Sequence, residues 1–334
     1  MPNVAMWGKA LTAMPRIGKS DWDELDLVSR WLIATRSAVI VMTFTSAAFA
    51  GVLAWKADGF DPLLFALVTG GLCLAHATNN LINDLTDYWK GVDKDNYFRT
   101  QYGPQTVEAG FLTVRQLMTY AALTGLVALG IGFYLVFVSE RGDVTLMLLA
   151  AGAFFVLFYT FPLKYIGMGE PAVLVVWGPL MVGGSYFVIT GTWSNEVAVA
   201  SLAYALGPTA VLFGKHTDKI EFDREKGIRT LPVILGESLS RKVTVGLLLA
   251  QYPVIAYLIY VGFFHPVMLV SFASMFSLGR VFQVFSRPRP DGPPPDLPPG
   301  VWPLWFVGVA FWFTRRYSGF FLLGLVLDLL ITKF

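Results

Sequence analysis

Cysteine is nearly absent from this sequence, since Cys73 is the only one among 334 residues. An intrachain disulfide and a thiolate metal cluster are therefore excluded, and Cys73 is expected to be a small buried hydrophobic residue. Charge is also scarce, because Asp, Glu, Lys and Arg make up 14% of the residues, against about 25% in a soluble domain. With 55% apolar residues, the composition indicates an integral membrane protein.

The pattern of a cleavable signal peptide is missing as well. The first 28 residues contain no continuous apolar core, and they end in an acidic stretch from Asp21 to Asp26. We therefore expect the first hydrophobic helix to direct membrane insertion, and residues 1–30 to form a cytoplasmic N-terminal segment.

Long apolar runs occupy most of the chain and are separated by charged residues, glycine or proline. Each run is close to the roughly 20 residues that cross a bilayer as a helix. The sequence therefore predicts an all-α, polytopic membrane helix bundle with about nine transmembrane helices. The predicted spans are 33–55, 62–83, 116–138, 144–161, 171–191, 197–214, 242–263, 265–283 and 316–332.

The chain before the last span is rich in proline. Residues 285–300 contain the run RPRPDGPPPDLPPG, which cannot be helical because proline removes a backbone donor and restricts the residue before it. We expect an extended cytoplasmic loop there. The apolar stretch Trp302 to Thr314 that follows is short, and it is either the start of a long last helix or a segment lying at the membrane interface.

The distribution of Lys and Arg predicts the orientation of the bundle. If the N-terminus lies in the cytoplasm, only Lys56, Arg141 and Lys333 fall on the far side, and 22 of the 25 basic residues fall on the near side. The basic residues concentrate in two near-side loops, 84–115 and 215–242. A functional site is therefore expected at the cytoplasmic ends of the second and sixth spans.

A first polar cluster lies where the second span ends. At helical spacing most of its members share one face, and oxygen ligands of this kind suit a divalent cation such as Mg²⁺. Solvated loop charges are the alternative interpretation, but acidic residues still inside an apolar span are costly unless they are paired or functional. The cluster consists of Asn80, Asn83, Asp84, Asp87, Asp93 and Asp95, and it is followed by Lys90, Lys94 and Arg99.

A second polar cluster follows the sixth span. Asp218, Glu221 and Glu225 share one helix face, whereas Lys219, Asp223 and Lys226 share another. Ordinary surface pairs at i, i+4 are the alternative interpretation. Two acid-rich helix ends together indicate two metal-binding walls around one cavity.

Two further elements lie on the same predicted side. Lys164, between the fourth and fifth spans, is a candidate for binding diphosphate. Tyr159 is typical of an interfacial aromatic residue and is also a candidate catalytic residue. His216 is one of three histidines, and we expect it to be a neutral hydrogen-bonding residue rather than a base.

Three segments resemble the UbiA superfamily of intramembrane prenyltransferases, in particular its menaquinone-type branch, which prenylates 1,4-dihydroxy-2-naphthoate. NLINDLTDYWKGVD is similar to the first Asp-rich motif of that branch, and DKIEFDREKGIRTLPVILG is similar to the second. YTFPLKYIGMGE, with the helix after it, resembles the segment that follows the fourth helix. The resemblance spans roughly residues 30–334 and implies a single domain of about nine helices around a central cavity.

The resemblance also implies Mg²⁺ as cofactor, an isoprenyl diphosphate and a hydrophobic aromatic acceptor as substrates, the bilayer as surroundings and no nucleic-acid partner. Roles follow by motif position. The catalytic candidates are Asn83, Asp87, Asp223, Lys164 and Tyr159. The substrate-binding candidates are Asn80, Lys90, Lys94, Arg99, Lys215, Lys219 and Arg229. The metal-ligand candidates are Asn83, Asp84, Asp87, Asp93, Asp218, Glu221 and Asp223.

One position departs from the pattern of the branch. Lys219 stands where the first Asp of the second motif is usual, and Asp218 lies one residue earlier. Either Asp218 or Glu221 replaces the missing ligand, or an ammonium group partly replaces a second metal ion. The departure bears on the identity of the acceptor more than on diphosphate binding.

Three other functions compete with aromatic prenyl transfer. A UbiA-type terpene cyclase would ionise the same diphosphate without an acceptor. An ion-coupled transporter would also carry intramembrane polar residues, but the polar residues here cluster at one membrane face. A lipid phosphotransferase is disfavoured, because its DG-x2-AR motif is absent. The sequence leaves the acceptor, the isoprenoid length and the oligomeric state open.

Overall fold

The computed structural model describes residues 2–94, 103, 105–295 and 302–334. The described chain is helical throughout its regular structure. Three short helices come first: α1 Val4–Thr12, α2 Lys19–Glu24 and α3 Leu27–Ala34. The first half of the bundle contains α4 Ser37–Lys56, α5 Pro62–Trp89, α6 Val114–Val138, α7 Gly142–Phe158 and the kinked α8 Gly169–Thr190. The second half contains α9 Asn195–Thr217, short α10 Ile220–Glu225 and α11 Leu231–Leu235, then α12 Glu237–Tyr260, α13 Pro266–Phe285 and α14 Phe306–Lys333.

Every predicted span has a helix. In the described part of the chain, seven helices are long and apolar enough to cross a membrane, and α7 is a shorter apolar helix of 17 residues. The ninth, α14, has 28 residues and carries Arg315, Arg316 and Asp328 within it. The all-α membrane bundle predicted from the apolar runs is thereby confirmed.

The last helix decides between the two interpretations of Trp302 to Thr314. Helix α14 begins at Phe306, so most of this stretch is the first part of one long helix. In the proline-rich loop, the described residues 286–295 contain no helix, as the proline content requires.

The core of the bundle lies between α4, α8, α9, α12, α13 and α14. Helix α8 approaches α9 closely at Gly178, where an added Cβ would lie 3.1 Å from the Cβ of Ala205. Gly178 has non-helical backbone angles and is followed by Pro179, which together kink the helix.

Helix α7 is less buried than the core helices. Only Thr145 among its 17 residues is buried. One face of α7 borders a large central cavity, to which Leu148, Leu149, Gly152 and Ala153 contribute. This helix therefore forms a thin wall of the cavity.

A cluster of charged residues holds the bundle together at the end where α4 finishes. Asp328 of α14 is 1% exposed and accepts from the Lys56 Nζ at 2.6 Å. The backbone N–H of His265 donates to the same carboxylate at 2.7 Å. These contacts join α4, α14 and the start of α13.

Candidate functional site

A central cavity of about 780 Å³ lies between α4, α5, α6, α7, α8 and α9. Its volume is within the range of about 300–1,000 Å³ that is usual for ligand pockets. Most of its lining is apolar and includes small residues such as Gly71, Gly125 and Gly132. Its polar lining concentrates at the end where α5 and α9 finish. The polar lining residues at that end are Arg36, Asn79, Asn80, Asn83, Asp87, Tyr159, Lys164, Lys215, His216 and Lys219.

The end of α5 forms the first wall of the site. Because Asn80, Asn83, Asp84 and Asp87 are spaced three or four residues apart, they share one helix face. Asn83 reaches the cavity, and its Nδ2 donates to the Thr160 Oγ1 at 3.1 Å. Asp84 is buried behind the lining. The helix thus carries its polar residues together, as the sequence predicts.

Arg36, the residue before α4, binds this wall from the side. Its Nη2 forms an ion pair with Asp84 and donates to the Asn83 Oδ1 at 3.1 Å. It also donates to the Asn80 carbonyl oxygen at 3.2 Å. Arg36 has a φ of 54°, which is uncommon for a residue other than glycine. The backbone is therefore in a left-handed conformation at the residue that precedes α4.

The segment between α7 and α8 supplies the next group. Lys164, which is 6% exposed, donates from Nζ to the Asp87 Oδ1 at 2.8 Å. Tyr165 follows it, and the pKa of the Tyr165 phenol is raised by burial and then by the negative charges of Asp87, Asp223 and Asp93. Three carboxylates, which come from both predicted walls, therefore contribute to the raised pKa of one phenol.

The end of α9 and α10 form the second wall. Lys219 lines the cavity and makes an ion pair with Asp223, with Nζ and Oδ1 2.8 Å apart, although the angle is not that of a hydrogen bond. His216 also lines the cavity, and its Nδ1 lies 2.6 Å from the Glu170 Oε1. The other oxygen of Glu170 accepts from the Leu231 backbone N–H at 3.3 Å. His216 is thus a hydrogen-bonding residue, as expected.

The two walls are joined directly. Lys226, in the loop after α10, donates from Nζ to the Gly91 carbonyl at 3.1 Å and lies 3.4 Å from the Lys94 carbonyl. Gly91 and Lys94 follow the end of α5. The two polar clusters are therefore neighbours, but of the residues in the second cluster only Lys219 lines the cavity, and two metal-binding walls stay a prediction.

The structure corrects two predicted metal ligands. Both oxygens of Asp218 accept backbone N–H groups at the start of α14, from Phe306 at 2.9 Å and Val307 at 3.0 Å. Asp218 therefore caps a helix, and burial raises its pKa to about 7. The side chain of Glu221 is 79% exposed and pairs with Arg224 at 2.6 Å, so it lies in solvent rather than at the cavity.

Other predicted residues lie around the site rather than in its lining. Lys90 is exposed and sits 3.7 Å from the centre of the Phe161 ring. Lys94 is exposed, and Arg229 is exposed beside a separate small surface pocket. Asp93 is buried next to Val92, which lines the cavity. Arg99 lies outside the described residues.

Sequence reasoning missed Arg36, Glu170 and Tyr165. The sequence does carry a signal for Arg36, because this residue lies between the apolar stretches 31–34 and 38–42. An arginine in such a position is costly without a partner. Glu170 and Tyr165 carry no comparable signal, because their importance depends on which loops meet.

The donor set can be tested against a metal ion. Asn83 and Asp87 offer oxygen atoms to the cavity, and oxygen donors are the ones that Mg²⁺ prefers. Among the described residues, no three His, Cys, Asp or Glu side chains form a group that could hold a metal alone. This fits Mg²⁺, which usually takes its other ligands from water and substrate phosphates.

The fold and the site together define a polytopic membrane enzyme whose cavity is cationic and oxygen-rich at one end and apolar along the rest. The model of the UbiA prenyltransferase family matches residues 44–295. The chain belongs to the UbiA prenyltransferase family and is a prenyltransferase.

Curated relatives agree with this family. The chain is 31% identical over 238 residues to 1,4-dihydroxy-2-naphthoate octaprenyltransferase of Escherichia coli strain K12, covering 68% of this chain and 75% of that protein. It is 28% identical over 244 residues to UbiA prenyltransferase domain-containing protein 1 of Danio rerio, covering 71% of each.

Solved structures show the same fold. The apo structure of a UbiA homolog from Aeropyrum pernix K1 matches with a TM-score of 0.63 and 17% identity, over 86% of this chain and 98% of that one. A UbiA homolog from Archaeoglobus fulgidus bound to DMAPP and Mg²⁺ matches with a TM-score of 0.55 and 15% identity, over 87% and 98%.

Proposed function

We propose that this protein transfers an isoprenyl group from an allylic isoprenyl diphosphate to a hydrophobic aromatic acceptor, a 1,4-dihydroxy-2-naphthoate-like quinone precursor. The observation that carries the proposal is the lining of the cavity, in which Arg36, Lys164 and Lys219 lie at one end of a mostly apolar space. A diphosphate with a hydrocarbon tail has the matching distribution of charge. The naphthoate-like acceptor is supported by the 31% identical relative from Escherichia coli.

The diphosphate binds, in this proposal, at the polar end of the cavity. Lys164, Lys215 and Lys219 line that end from two separate segments, and ammonium groups are strong donors to phosphate oxygens. Arg36 adds a guanidinium, which it already aims at Asn83 and Asp84. The cations neutralise the leaving group as the carbon–oxygen bond of the allylic diphosphate breaks.

Asn83 and Asp87 would hold Mg²⁺ against the diphosphate, with Asp84, Asp93 and Asp223 as buried acids close by. The metal would supply further neutralisation of the diphosphate oxygens. The pairing of Mg²⁺ with an allylic diphosphate is supported by a UbiA homolog from Archaeoglobus fulgidus that is bound to DMAPP and Mg²⁺.

The remainder of the cavity protects the allylic cation. Phe155, Tyr159 and Trp177 line it, and aromatic faces attract a cation while excluding water. The ring carbon of the acceptor attacks the cation, a carbon–carbon bond forms, and the ring then loses a proton or its carboxyl group. The lipid tail stays in the apolar part of the cavity.

We also propose that the polar end faces the cytoplasm and that residues 1–334 form one domain. The excess of Lys and Arg at this end supports the orientation. A cytoplasmic site would receive a charged diphosphate from water and its apolar product would leave into the bilayer.

The test is a reaction in nanodiscs with Mg²⁺ and geranylgeranyl diphosphate, with and without 1,4-dihydroxy-2-naphthoate, followed by mass spectrometry. A prenylated ring formed only with acceptor supports the proposal. A hydrocarbon released without acceptor identifies a terpene cyclase, and no diphosphate release with any allylic substrate overturns both. Lys164→Met should abolish product, whereas Lys242→Met, at an exposed position on α12, should not.

A further inference from the structure

Lys219 and Asp223 form a closed pair on the second wall. Their Nζ and Oδ1 atoms are 2.8 Å apart, and their side chains are 11% and 1% exposed. Lys219 lines the cavity, whereas Asp223 is fully buried and is not part of the described lining. The ammonium group therefore stands between the carboxylate and the cavity.

The other acids of the second motif face elsewhere. The two carboxylate oxygens of Asp218 accept hydrogen bonds from the first two backbone N–H groups of α14. Glu221 points into solvent toward Arg224, and Glu225 is exposed. Asp223 is thus the acid of this motif that is buried without capping a helix, and the Lys219 side chain already neutralises it.

The first wall differs in this respect. Asn83 and Asp87 both line the cavity, where the Asn83 Oδ1 accepts from Arg36 and the Asp87 Oδ1 accepts from Lys164. Asp87 also pairs with a lysine, but Lys164 comes from a separate segment between α7 and α8. Lys219 lies one helical turn before Asp223 in the same segment, which keeps its ammonium group close to that carboxylate.

We propose that Lys219 takes the place of a metal ion on the second wall. Its ammonium group neutralises Asp223 and directs N–H donors to the diphosphate, so that the first wall alone holds a divalent ion. A second cation beside this ammonium group would be repelled by it. The inference rests on the proposed function, because the diphosphate is the ligand that both groups share.

The experiment counts metal ions rather than products. Purified protein in nanodiscs is saturated with geranylgeranyl S-thiolodiphosphate, an unreactive analogue, and titrated with Mn²⁺, with free Mn²⁺ read by electron paramagnetic resonance against empty nanodiscs. The wild type should bind one Mn²⁺ per chain. Lys219→Asp, which restores an acid at this position, should bind a second.

Lys219→Met is the matched control, because it removes the ammonium group without adding an oxygen ligand. It should retain one Mn²⁺ and bind the analogue at least about tenfold more weakly, the loss of one charged contact. Two Mn²⁺ ions in the wild-type complex would overturn the inference and leave the proposed function intact. Failure of the wild type to bind the analogue would overturn both.

Discussion

Asp87 at the end of α5 and Lys164 between α7 and α8 form a buried ion pair, with Oδ1 and Nζ 2.8 Å apart. The pair joins two elements that are far apart in sequence at the polar end of the cavity. Removing one member of a buried pair leaves an uncompensated charge, which usually costs about 3–5 kcal/mol. The same two residues serve substrate binding in the proposed function. Substituting one or both of them therefore distinguishes their effect on stability from their effect on activity.

Asp87→Asn and Lys164→Met should each lower the free energy of unfolding by about 3 kcal/mol, because each removes one member of a buried ion pair. The double variant should recover most of that stability, since neither charge remains. All three variants should lose about 100-fold or more in product formation, comparable to removing one preorganised electrostatic group. Unfolding in detergent and prenyl transfer in nanodiscs measure the two effects.

Lys242→Met provides the control for loss of a lysine away from the site. If the double variant is no more stable than the two single variants, the ion pair does not hold these elements together. If it regains activity as well as stability, the pair does not serve the reaction.

The length of the isoprenyl chain should depend on Gly152 of α7. This glycine lines the cavity, and a Cβ added to it would meet no atom within 4 Å. Gly152→Leu should therefore fill apolar space without distorting the helix, in which leucine is favoured over glycine by up to about 1 kcal/mol. Use of geranylgeranyl diphosphate should fall about tenfold relative to geranyl diphosphate, measured as the ratio of kcat/KM values.

Gly130→Leu is the matched control for that substitution. Gly130 lies on α6, is exposed on the outside of the bundle, and also has open space at its Cβ position. It should leave the ratio unchanged. Equal losses for both diphosphates in Gly152→Leu would contradict the assignment of this part of the cavity to the tail.

Asp218 should make stability depend on pH. Its folded-state pKa is about 7 because it is buried, against about 3.9 in an unfolded chain. The ionised form is thus disfavoured in the fold, so the contribution of Asp218 is fully present below about pH 4 and is lost as pH rises to about 7. The Tm of Asp218→Asn minus the Tm of the wild type should therefore increase as pH rises from about 4 to about 7. A Tm difference that does not change with pH would refute the shift in the pKa of Asp218.

The helices could be predicted because apolar runs of membrane length have few alternatives. The grouping of Asn80, Asn83, Asp84 and Asp87 also followed from helical spacing alone. The role of Asp218 did not, because Asp218 caps α14, which begins 88 residues later. Spacing within a motif shows which residues share a face, but not which distant backbone will use them.

Arg36 illustrates the same limit. Its position before α4 is visible in the sequence, but its partners Asn83 and Asp84 lie 47 and 48 residues away. The packing of α4 on α5 decides that contact. The cluster predicted from spacing therefore lacked this cation, and its member Asp95 lies outside the described residues.

The opposite end of the bundle allows a test of stability that is independent of the site. Lys56 at the end of α4 donates to Asp328 and to the Phe263 carbonyl, both at 2.6 Å. Lys56→Met should lower the free energy of unfolding by about 3 kcal/mol, since Asp328 stays buried with its charge. Because α4 is 20 residues long, this end lies about 30 Å from Arg36, and prenyl transfer by the folded fraction should be unchanged.

Lys333→Met is the control for that change, because the partner of Lys333, Asp58, has a side chain that is 86% exposed. A pair of that kind contributes about 0–1 kcal/mol, so this variant should unfold like the wild type. Equal stability of Lys56→Met and Lys333→Met would mean that the buried carboxylate of Asp328 is satisfied by His265 alone, and that α4 and α14 are joined by apolar packing rather than by charge.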